Sequence, residues 1–304
     1  MSVPGFPLQA RHRNAVDMKT PKRLQSLLEE GLIDTVVRQL MSGKEATVYV
    51  VRQGEHTLCA KVYKEAQQRS FRQAVDYTEN RRTRNSRQAR AMAKGTRFGR
   101  EAAEAAWQSA EVDALRRLAA AGVRVPTPYQ FLDGVLLMEL LVDAEGNAAP
   151  RLNDVQFSSA DALRHHAALI REVTRMLCAG VVHGDLSEFN ILLAENAAGE
   201  SGPAIIDLPQ AVDAAGNNHA SRMLLRDVNN VRNFFARFAP ELATTQYGAE
   251  LWDLYSAGLL QPDTPLTGVF APERASVDLA AILREIAAAE EQEQERLMRL
   301  QSTD

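Results

Sequence analysis

The stretch VVHGDLSEFNILL, residues 181–193, decides the fold class of this 304-residue chain. An apolar pair leads into a polar turn, and an apolar strand follows the turn. Asp185 and Asn190 stand on the two sides of that turn. A carboxylate can position or deprotonate an acceptor hydroxyl, and an amide oxygen beside it can hold a hard cation without adding negative charge. The pattern therefore indicates a phosphoryl-transfer site.

A second carboxylate follows the next apolar run, Ala204-Ile205-Ile206, at Asp207. A carboxylate at the end of a buried strand is well placed to ligate Mg²⁺ on a triphosphate. Asp is also common in plain turns, and this is the alternative for Asp185 or Asp207 taken alone. The ordered set of His-Gly-Asp, Asn and a strand-terminal Asp favours an active site.

The third feature is Lys61, which interrupts the apolar run 57–63. An unpaired ammonium inside a strand would be costly, so a partner is expected. Glu111, on the semi-apolar face of the following helix, is the candidate. A strand Lys paired with a helix Glu, the Lys also touching the α- and β-phosphates, is the arrangement found in kinases. Extension of Lys61 to solvent is the alternative.

Two weaker features flank this strand. The segment 41–49 is a strand–turn–strand that could lie over nucleotide phosphates, although its single glycine equally suits a plain hairpin. The run 136–141 ends the β-rich half where a hinge between two lobes is expected. Backbone groups near Glu139 and Leu141 could pair with an adenine edge, and an ordinary buried strand end is the alternative.

Periodicity predicts the remaining architecture. Strands are predicted at 35–41, 46–52, 57–63, 129–132, 135–140, 191–193 and 204–206. Helices are predicted from Pro21, over about 100–120, and at 159–179, 220–238, 241–259 and 277–300. The predicted fold class is α+β, a two-lobed protein-kinase-like fold with a small β-rich N-lobe and a mainly helical C-lobe.

The same pattern divides the chain into four parts. A loose N-terminal arm occupies 1–20, and the N-lobe occupies 21–142 with its N-terminal helix. The catalytic C-lobe occupies 143–260, and a C-terminal extension with a Glu-rich helix occupies 261–304. Within the N-lobe, segment 64–100 holds eleven Lys/Arg against three Asp/Glu and few large aliphatics, which is typical of a basic flexible insertion.

Composition excludes several classes of function. The net charge of -4 argues against a chain that is basic throughout, so RNA contact would need the local patch 64–100. The two cysteines, Cys59 and Cys178, have no second ligand at metal spacing. The sequence contains neither the layout of a signal peptide nor an apolar run that spans a bilayer, so a cytoplasmic location without a membrane partner is expected.

The motifs together resemble the RIO family of atypical serine/threonine protein kinases. Residues 42–46 resemble its S-T-G-K-E-A phosphate loop, residues 183–190 its H-x-D-L-S-E-F-N catalytic loop, and residues 205–210 its I-I-D-x-x-Q metal loop. The resemblance covers about residues 20–240. The first type of RIO kinase is the closer branch, since there is no room for the winged-helix domain of the second type.

The resemblance implies an ATP- and Mg²⁺-dependent non-specific serine/threonine kinase or an ATPase, with Mn²⁺ as a further metal. It implies that the acceptor is a protein, or the chain itself through Asp207, and that the basic insertion lies near the nucleotide and can meet RNA or a ribosomal particle. In the implied active site, Lys61 and Glu111 orient the phosphates, Asp185 and Lys61 are catalytic together with Asp207, and Asn190 and Asp207 hold the metal. The implied phosphate loop contains Ser42, Lys44 and Glu45. The implied adenine pocket is lined by Val48, Met138, Leu192 and Ile206, together with the backbone of Glu139 and Leu141.

Two departures from ordinary protein kinases leave alternatives open. Ser187 stands two residues after Asp185, where a Lys is usual, and Leu208 follows Asp207 in place of Phe. RIO proteins also lack the peptide-docking subdomains, so an ATPase stands beside the kinase. A small-molecule kinase of the aminoglycoside or choline type is one rival, although Leu208 and the Gly-Lys-Glu-Ala loop disfavour it. A nucleotide-gated module that binds an RNA–protein particle is another.

Overall fold

A computed structural model describes residues 20–64, 97–196, 198–271, 279–285 and 288; for 97–108 it describes the backbone alone. The predicted N-terminal arm, most of the basic insertion and most of the Glu-rich helix lie outside the described residues. Within these ranges, no helix combines the length and the apolarity that crossing a membrane requires.

The β-rich part is one antiparallel sheet of five strands in the order β1-β2-β3-β5-β4. The strands are β1 (Thr35–Ser42), β2 (Ala46–Gln53), β3 (His56–Tyr63), β4 (Pro128–Leu132) and β5 (Val135–Glu139). Asp133 and Gly134 both have positive φ in the β4–β5 turn, the conformation that a tight hairpin favours. Two helices accompany the sheet, α1 (Lys22–Glu29) and α2 (Arg97–Ala120).

Strand alternation sorts the two faces of β3. Leu58, Ala60 and Val62 belong to one buried cluster with Leu24 and Leu27 of α1. Side chains of a strand point alternately to opposite faces, so Lys61 and Tyr63 face the other way. Tyr63 accordingly belongs to the main core together with residues of α2. The alternation of β3 thus directs Lys61 toward α2 and the second half of the chain.

The second half is mainly helical, with two antiparallel ribbons, β6–β9 and β7–β8. Its helices are α3 (Ser159–Cys178), α4 (Ala220–Ala236) and α5 (Tyr247–Ser256), with 3-10 turns at Leu152–Asp154 and Pro240–Thr244. The ribbons comprise β6 (Val181–Val182), β7 (Ile191–Glu195), β8 (Ser201–Ile205) and β9 (Val212–Asp213). Residues 279–285 are helical. The α+β class and the β-then-helix order are those predicted.

The predicted helix 241–259 is wrong, because the structure divides it in two. Pro240 opens a 3-10 turn that ends at Thr244, and Thr245 is extended with its hydroxyl donating to Leu242 O at 2.8 Å. A threonine hydroxyl that bonds to nearby backbone competes with helix continuation. Gly258, at φ 70°, adopts the left-handed conformation beyond the end of α5.

Smaller corrections concern strand and helix ends. The predicted strand 204–206 ends one residue early, because Asp207 turns the backbone into the left-handed region at φ 66°. It also begins earlier, at Ser201, and includes Pro203. Helix α2 begins at Arg97, so the last residues of the predicted insertion are helical. The apolar pair ahead of the polar turn forms the two-residue strand β6, whereas its partner β9 was not predicted, since so short a run carries no periodicity.

Candidate active site

Lys61 joins the two halves of the chain through its ammonium group. Its Nζ lies 2.6 Å from Glu111 Oε1 and 2.6 Å from Asp207 Oδ1. Glu111 is only 2% exposed, and its Oε2 accepts a hydrogen bond from the Tyr63 hydroxyl. The structure therefore brings a strand Lys, a helix Glu and the distant Asp207 together at one point. Sequence reasoning missed Tyr63, although its spacing of two from Lys61 places it on the same face of β3.

Mutual attraction sets the protonation of these groups. Burial alone would lower the pKa of Lys61, but the Asp207 and Glu111 carboxylates raise it well above its ordinary value. The side chain of Asp207 is 44% exposed, yet the protein around it removes enough water to raise the pKa of its carboxyl. The charge and the hydrogen bond of Lys61 outweigh this and lower that pKa below its ordinary value. The pair is therefore an ammonium and a carboxylate at neutral pH.

The loop after β6 carries Asp185 and Asn190. Asn190 Nδ2 donates to the backbone oxygen of Asp185 at 2.8 Å, which closes the turn. The Asp185 N–H meets His183 Nδ1 at 3.2 Å, and His183 Nε2 lies 3.0 Å from Ile206 O. Since Nδ1 accepts, Nε2 carries the proton of the neutral ring. Burial lowers the pKa of His183 and so favours that neutral form. His183 thus ties the Asp185 loop to the segment before Asp207.

Asp185 is exposed. Burial of its surroundings raises the pKa of its carboxyl, His183 and Arg226 oppose this, and Asp207 adds to it. Gln210 Nε2 approaches Asp185 Oδ2 at 3.3 Å. The charge of Asp207 is therefore felt at the Asp185 carboxyl, whose pKa it helps to raise.

Side chains of helix α4 form hydrogen bonds to the backbone of the catalytic loop, residues 183–190. Asp227 is 1% exposed, and its two carboxylate oxygens accept the Gly184 N–H at 2.8 Å and the Leu186 N–H at 3.0 Å. Arg226 donates to Gly184 O, and Asn230 Nδ2 donates to Leu186 O at 3.1 Å. The sequence carries one signal for this role, because Asp227 places a carboxylate on the mostly apolar, buried face of α4.

Asp227 should make the stability of the protein depend on pH. Burial raises its pKa to about 7, and the two N–H donors offset this only in part. An acid whose pKa is raised on folding stabilises the fold below its unfolded-state pKa, and this contribution is lost as pH rises through the folded-state pKa. Urea unfolding of the wild type should therefore lose roughly 4 kcal/mol from this group between about pH 4 and pH 8.

The control for that effect is Asp227→Asn, which cannot titrate. Its Nδ2 would face a backbone N–H, so the variant should be less stable than the wild type at acid pH by about 1–3 kcal/mol. Between the same two pH values its loss of unfolding free energy should be smaller than that of the wild type. An equal loss in both proteins would contradict the assignment.

The metal-binding candidates have suitable chemistry. Ile206 N–H donates to Asn190 O at 3.0 Å, which brings Asn190 beside Asp207. Because the Asn190 amide nitrogen is engaged with the Asp185 backbone, its Oδ1 is the end left for a cation. A carboxylate and an amide oxygen suit Mg²⁺, which takes few protein ligands and completes its shell from phosphates and water. No cluster of three or more His, Cys, Asp or Glu side chains suited to a metal occurs among the residues described.

The phosphate-loop candidates lie at the β1–β2 turn. Ser42 Oγ is 3.3 Å from Thr47 Oγ1, Lys44 is exposed, and Glu45 O accepts the Lys64 N–H at 2.8 Å. Lys64, absent from the sequence prediction, donates its Nζ to Gly43 O at 2.6 Å. It is a second cation at this turn.

The expected adenine pocket is assembled only in part. Leu141 belongs to a small cluster against which Leu192 and Ile206 pack, whereas Met138 packs against the main core. Val48 is half-buried and is paired with Lys61 across β2 and β3.

Two backbone groups of the expected hinge already form hydrogen bonds within the protein. The Glu139 N–H donates to Thr127 O at 2.9 Å, and the Leu141 carbonyl accepts from Ala149 N–H at 2.9 Å. The Glu139 N–H is thus engaged within the protein, whereas the Leu141 carbonyl keeps a second lone pair. Contact of this backbone with an adenine edge stays a prediction. The Glu139 side chain is held by both guanidinium nitrogens of Arg124, at 2.9 and 3.1 Å.

A β-rich half joined to a helical half, with a Lys–Glu–Asp cluster between them, defines the protein-kinase-like class. A family model described as the RIO domain matches residues 47–247. The RIO-type serine/threonine-protein kinase Rio1 of Haloferax volcanii is 34% identical over 232 residues, which is 74% of this chain and 71% of that protein. Serine/threonine-protein kinase RIO1 of Caenorhabditis elegans is 30% identical over 235 residues, 75% of this chain but 42% of that protein. The chain belongs to the RIO family of atypical serine/threonine protein kinases, as the catalytic-loop motif predicted.

A solved structure supports the fold independently. The Rio2 kinase of Chaetomium thermophilum, in a complex with ADP, Mg²⁺ and phosphoaspartate, matches with a TM-score of 0.51 and 21% identity over 89% of this chain and 75% of that chain. At this identity the likeness bears on the fold alone. It confirms the two-lobed kinase-like fold.

Proposed function

We propose that this chain is an ATP- and Mg²⁺-dependent RIO-type kinase, which transfers the γ-phosphoryl group to a serine hydroxyl or to its own Asp207. The observation that carries the proposal is the Lys61 ammonium, held 2.6 Å from both Glu111 and Asp207. Such a cation can orient the α- and β-phosphates when ATP enters. Asn190 and Asp207 would hold Mg²⁺, or Mn²⁺, which neutralises charge on the phosphates.

In the serine route, Asp185 positions the acceptor hydroxyl and accepts its proton. The hydroxyl oxygen bonds to the γ-phosphorus while the bond to the β–γ bridging oxygen breaks, and ADP leaves with that electron pair. In the Asp207 route, a carboxylate oxygen of Asp207 makes the same attack and yields an acyl phosphate, which water then hydrolyses to phosphate. The second route produces net ATP hydrolysis.

The exposure and the charge of Asp207 support the Asp207 route beside the serine route. Asp207 is 44% exposed in its side chain and ionised, so that its oxygens can act as a nucleophile. The matched Rio2 structure is described as a phosphoaspartate complex, which is a statement about that protein. Ser187 in place of a lysine weakens the case for rapid transfer to a free protein.

The test is turnover and label transfer with γ-labelled ATP in the wild type and in Asp207→Asn. An acyl phosphate is cleaved by hydroxylamine and phosphoserine is not, so the lability of the label separates the two routes. We expect hydroxylamine-labile label on the wild type and none on Asp207→Asn. If the wild type neither binds Mg·ATP nor turns it over, the proposed function fails.

Partners and location stay predictions from sequence. Membership of the RIO family favours a protein acceptor over the small molecule of an aminoglycoside- or choline-type kinase. RNA or ribosomal-particle binding through 64–100 concerns a segment mostly outside the described residues. The domain boundary near residue 142 and a cytoplasmic location are likewise proposals.

A further inference from the structure

The site lacks one positive charge that ordinary kinases have. Their lysine two residues after the catalytic Asp is replaced here by Ser187. A cation at that place stabilises the phosphoryl group while it moves between donor and acceptor. A replacement would have to come from another part of the cleft.

The cations around the cleft differ in what they are bound to. Lys61, Lys64 and Arg226 each donate to oxygen acceptors of the protein. Arg151 is different, since the hydrogen bond that its guanidinium makes within the described part of the chain goes to Met41 Sδ, at 2.7 Å. A thioether sulfur is a weak acceptor. Of these four cations, the guanidinium of Arg151 is therefore the one that a phosphate could most easily displace from its partner.

The backbone of Arg151 is anchored next to the catalytic loop. Arg151 pairs with Leu192 in an isolated β-bridge, and Pro150 O accepts the Leu193 N–H at 2.8 Å. Leu192 follows Asn190 by two residues on the chain. The side chain of Arg151 thus starts beside β7, the strand that follows Asn190.

Its far end lies at the phosphate loop. Met41 directly precedes Ser42, the last residue of β1. The side chain of Arg151 therefore crosses from the helical half to the turn expected over the phosphates.

We propose that Arg151 is the cation that stabilises the γ-phosphoryl group during transfer, exchanging the Met41 sulfur for phosphate oxygens. The inference rests on the proposed function. As the bond to the ADP oxygen breaks and the acceptor oxygen bonds to phosphorus, charge is carried by the equatorial oxygens of the phosphoryl group. The planar guanidinium offers paired N–H donors that match two such oxygens.

The test compares Arg151→Met, which keeps the apolar stem and removes the charge, with the wild type. We expect kcat for ATP turnover to fall roughly 100-fold. Affinity for Mg·ADP with aluminium fluoride, which imitates the moving phosphoryl group, should fall by a similar factor. Affinity for Mg·ADP alone should stay unchanged, because ADP lacks the group that Arg151 contacts.

Arg38→Met is the matched control, since Arg38 is exposed on β1 and the same charge is removed away from the cleft. It should keep wild-type kcat. Should Arg151→Met fail to fold, the neutral polar Arg151→Gln provides the same comparison at this half-buried position. The inference would be overturned if the folded Arg151 variant kept wild-type kcat. It would also be overturned if, at unchanged kcat, the affinities for Mg·ADP alone and for Mg·ADP with aluminium fluoride fell equally. Neither result would touch the proposed function, which depends on turnover by the wild type.

Discussion

Replacing Asp185 with alanine is expected to lower kcat for ATP-dependent serine phosphorylation by roughly 10²- to 10⁴-fold. The carboxylate stands exposed at the cleft, with Gln210 Nε2 at 3.3 Å and the Asn190 side chain closing the turn beneath it. Its removal deletes the group that we propose positions the acceptor and takes its proton. The measurement is the initial rate of label transfer at saturating Mg·ATP.

The fold should survive this change, because the loop is held by groups other than the Asp185 carboxylate. Asp227 receives the Gly184 and Leu186 N–H groups, and His183 joins the loop to Ile206 O. Asp113→Ala, which removes a carboxylate whose side chain is 76% exposed on α2, is the matched control. If Asp185→Ala retains near-wild-type transfer while Asp113→Ala does too, Asp185 is not the catalytic carboxylate.

The second large effect is expected from Lys61→Met, on both activity and stability. Turnover should fall by roughly 10²-fold or more, since the cation proposed to orient the phosphates is gone. Glu111, at 2% exposure, would keep a buried charge without its ammonium. Removing one partner of a buried ion pair costs about 3–5 kcal/mol. Urea unfolding and ATP turnover, measured on the same preparation, check the two parts separately.

The double variant Lys61→Met with Glu111→Leu separates the two roles. Without the buried carboxylate, much of the lost stability should return, because replacing both partners with apolar groups removes the desolvation cost. Recovery should be partial, since the Tyr63 hydroxyl then loses its Glu111 acceptor. Turnover should stay low. Recovery of turnover together with stability would mean that Lys61 acts only through the fold.

Much of the site was predictable because its parts are short contiguous motifs. The turn from His183 to Asn190 carries its chemistry in eight neighbouring residues, and hydrogen bonds within it, such as Asn190 Nδ2 to Asp185 O, are local. The strands around Lys61 follow from alternation, which also sets the face that Lys61 occupies. The prediction of one helix over 241–259 failed because the helical pattern does not show which local hydrogen bonds compete with it. Here the Thr245 hydroxyl bonds to Leu242 O and the helix is divided.

The sequence by itself determined the fold class, the order of the motifs and the residue types at the cleft, because period and local spacing encode them. The tertiary structure alone decided that Asp207 binds Lys61 across 146 positions, that Asp227 caps the catalytic loop from α4, and that Arg151 reaches Met41. Such contacts join segments distant along the chain. Their partners are chosen by packing of the two halves, for which a single sequence carries no periodic signal.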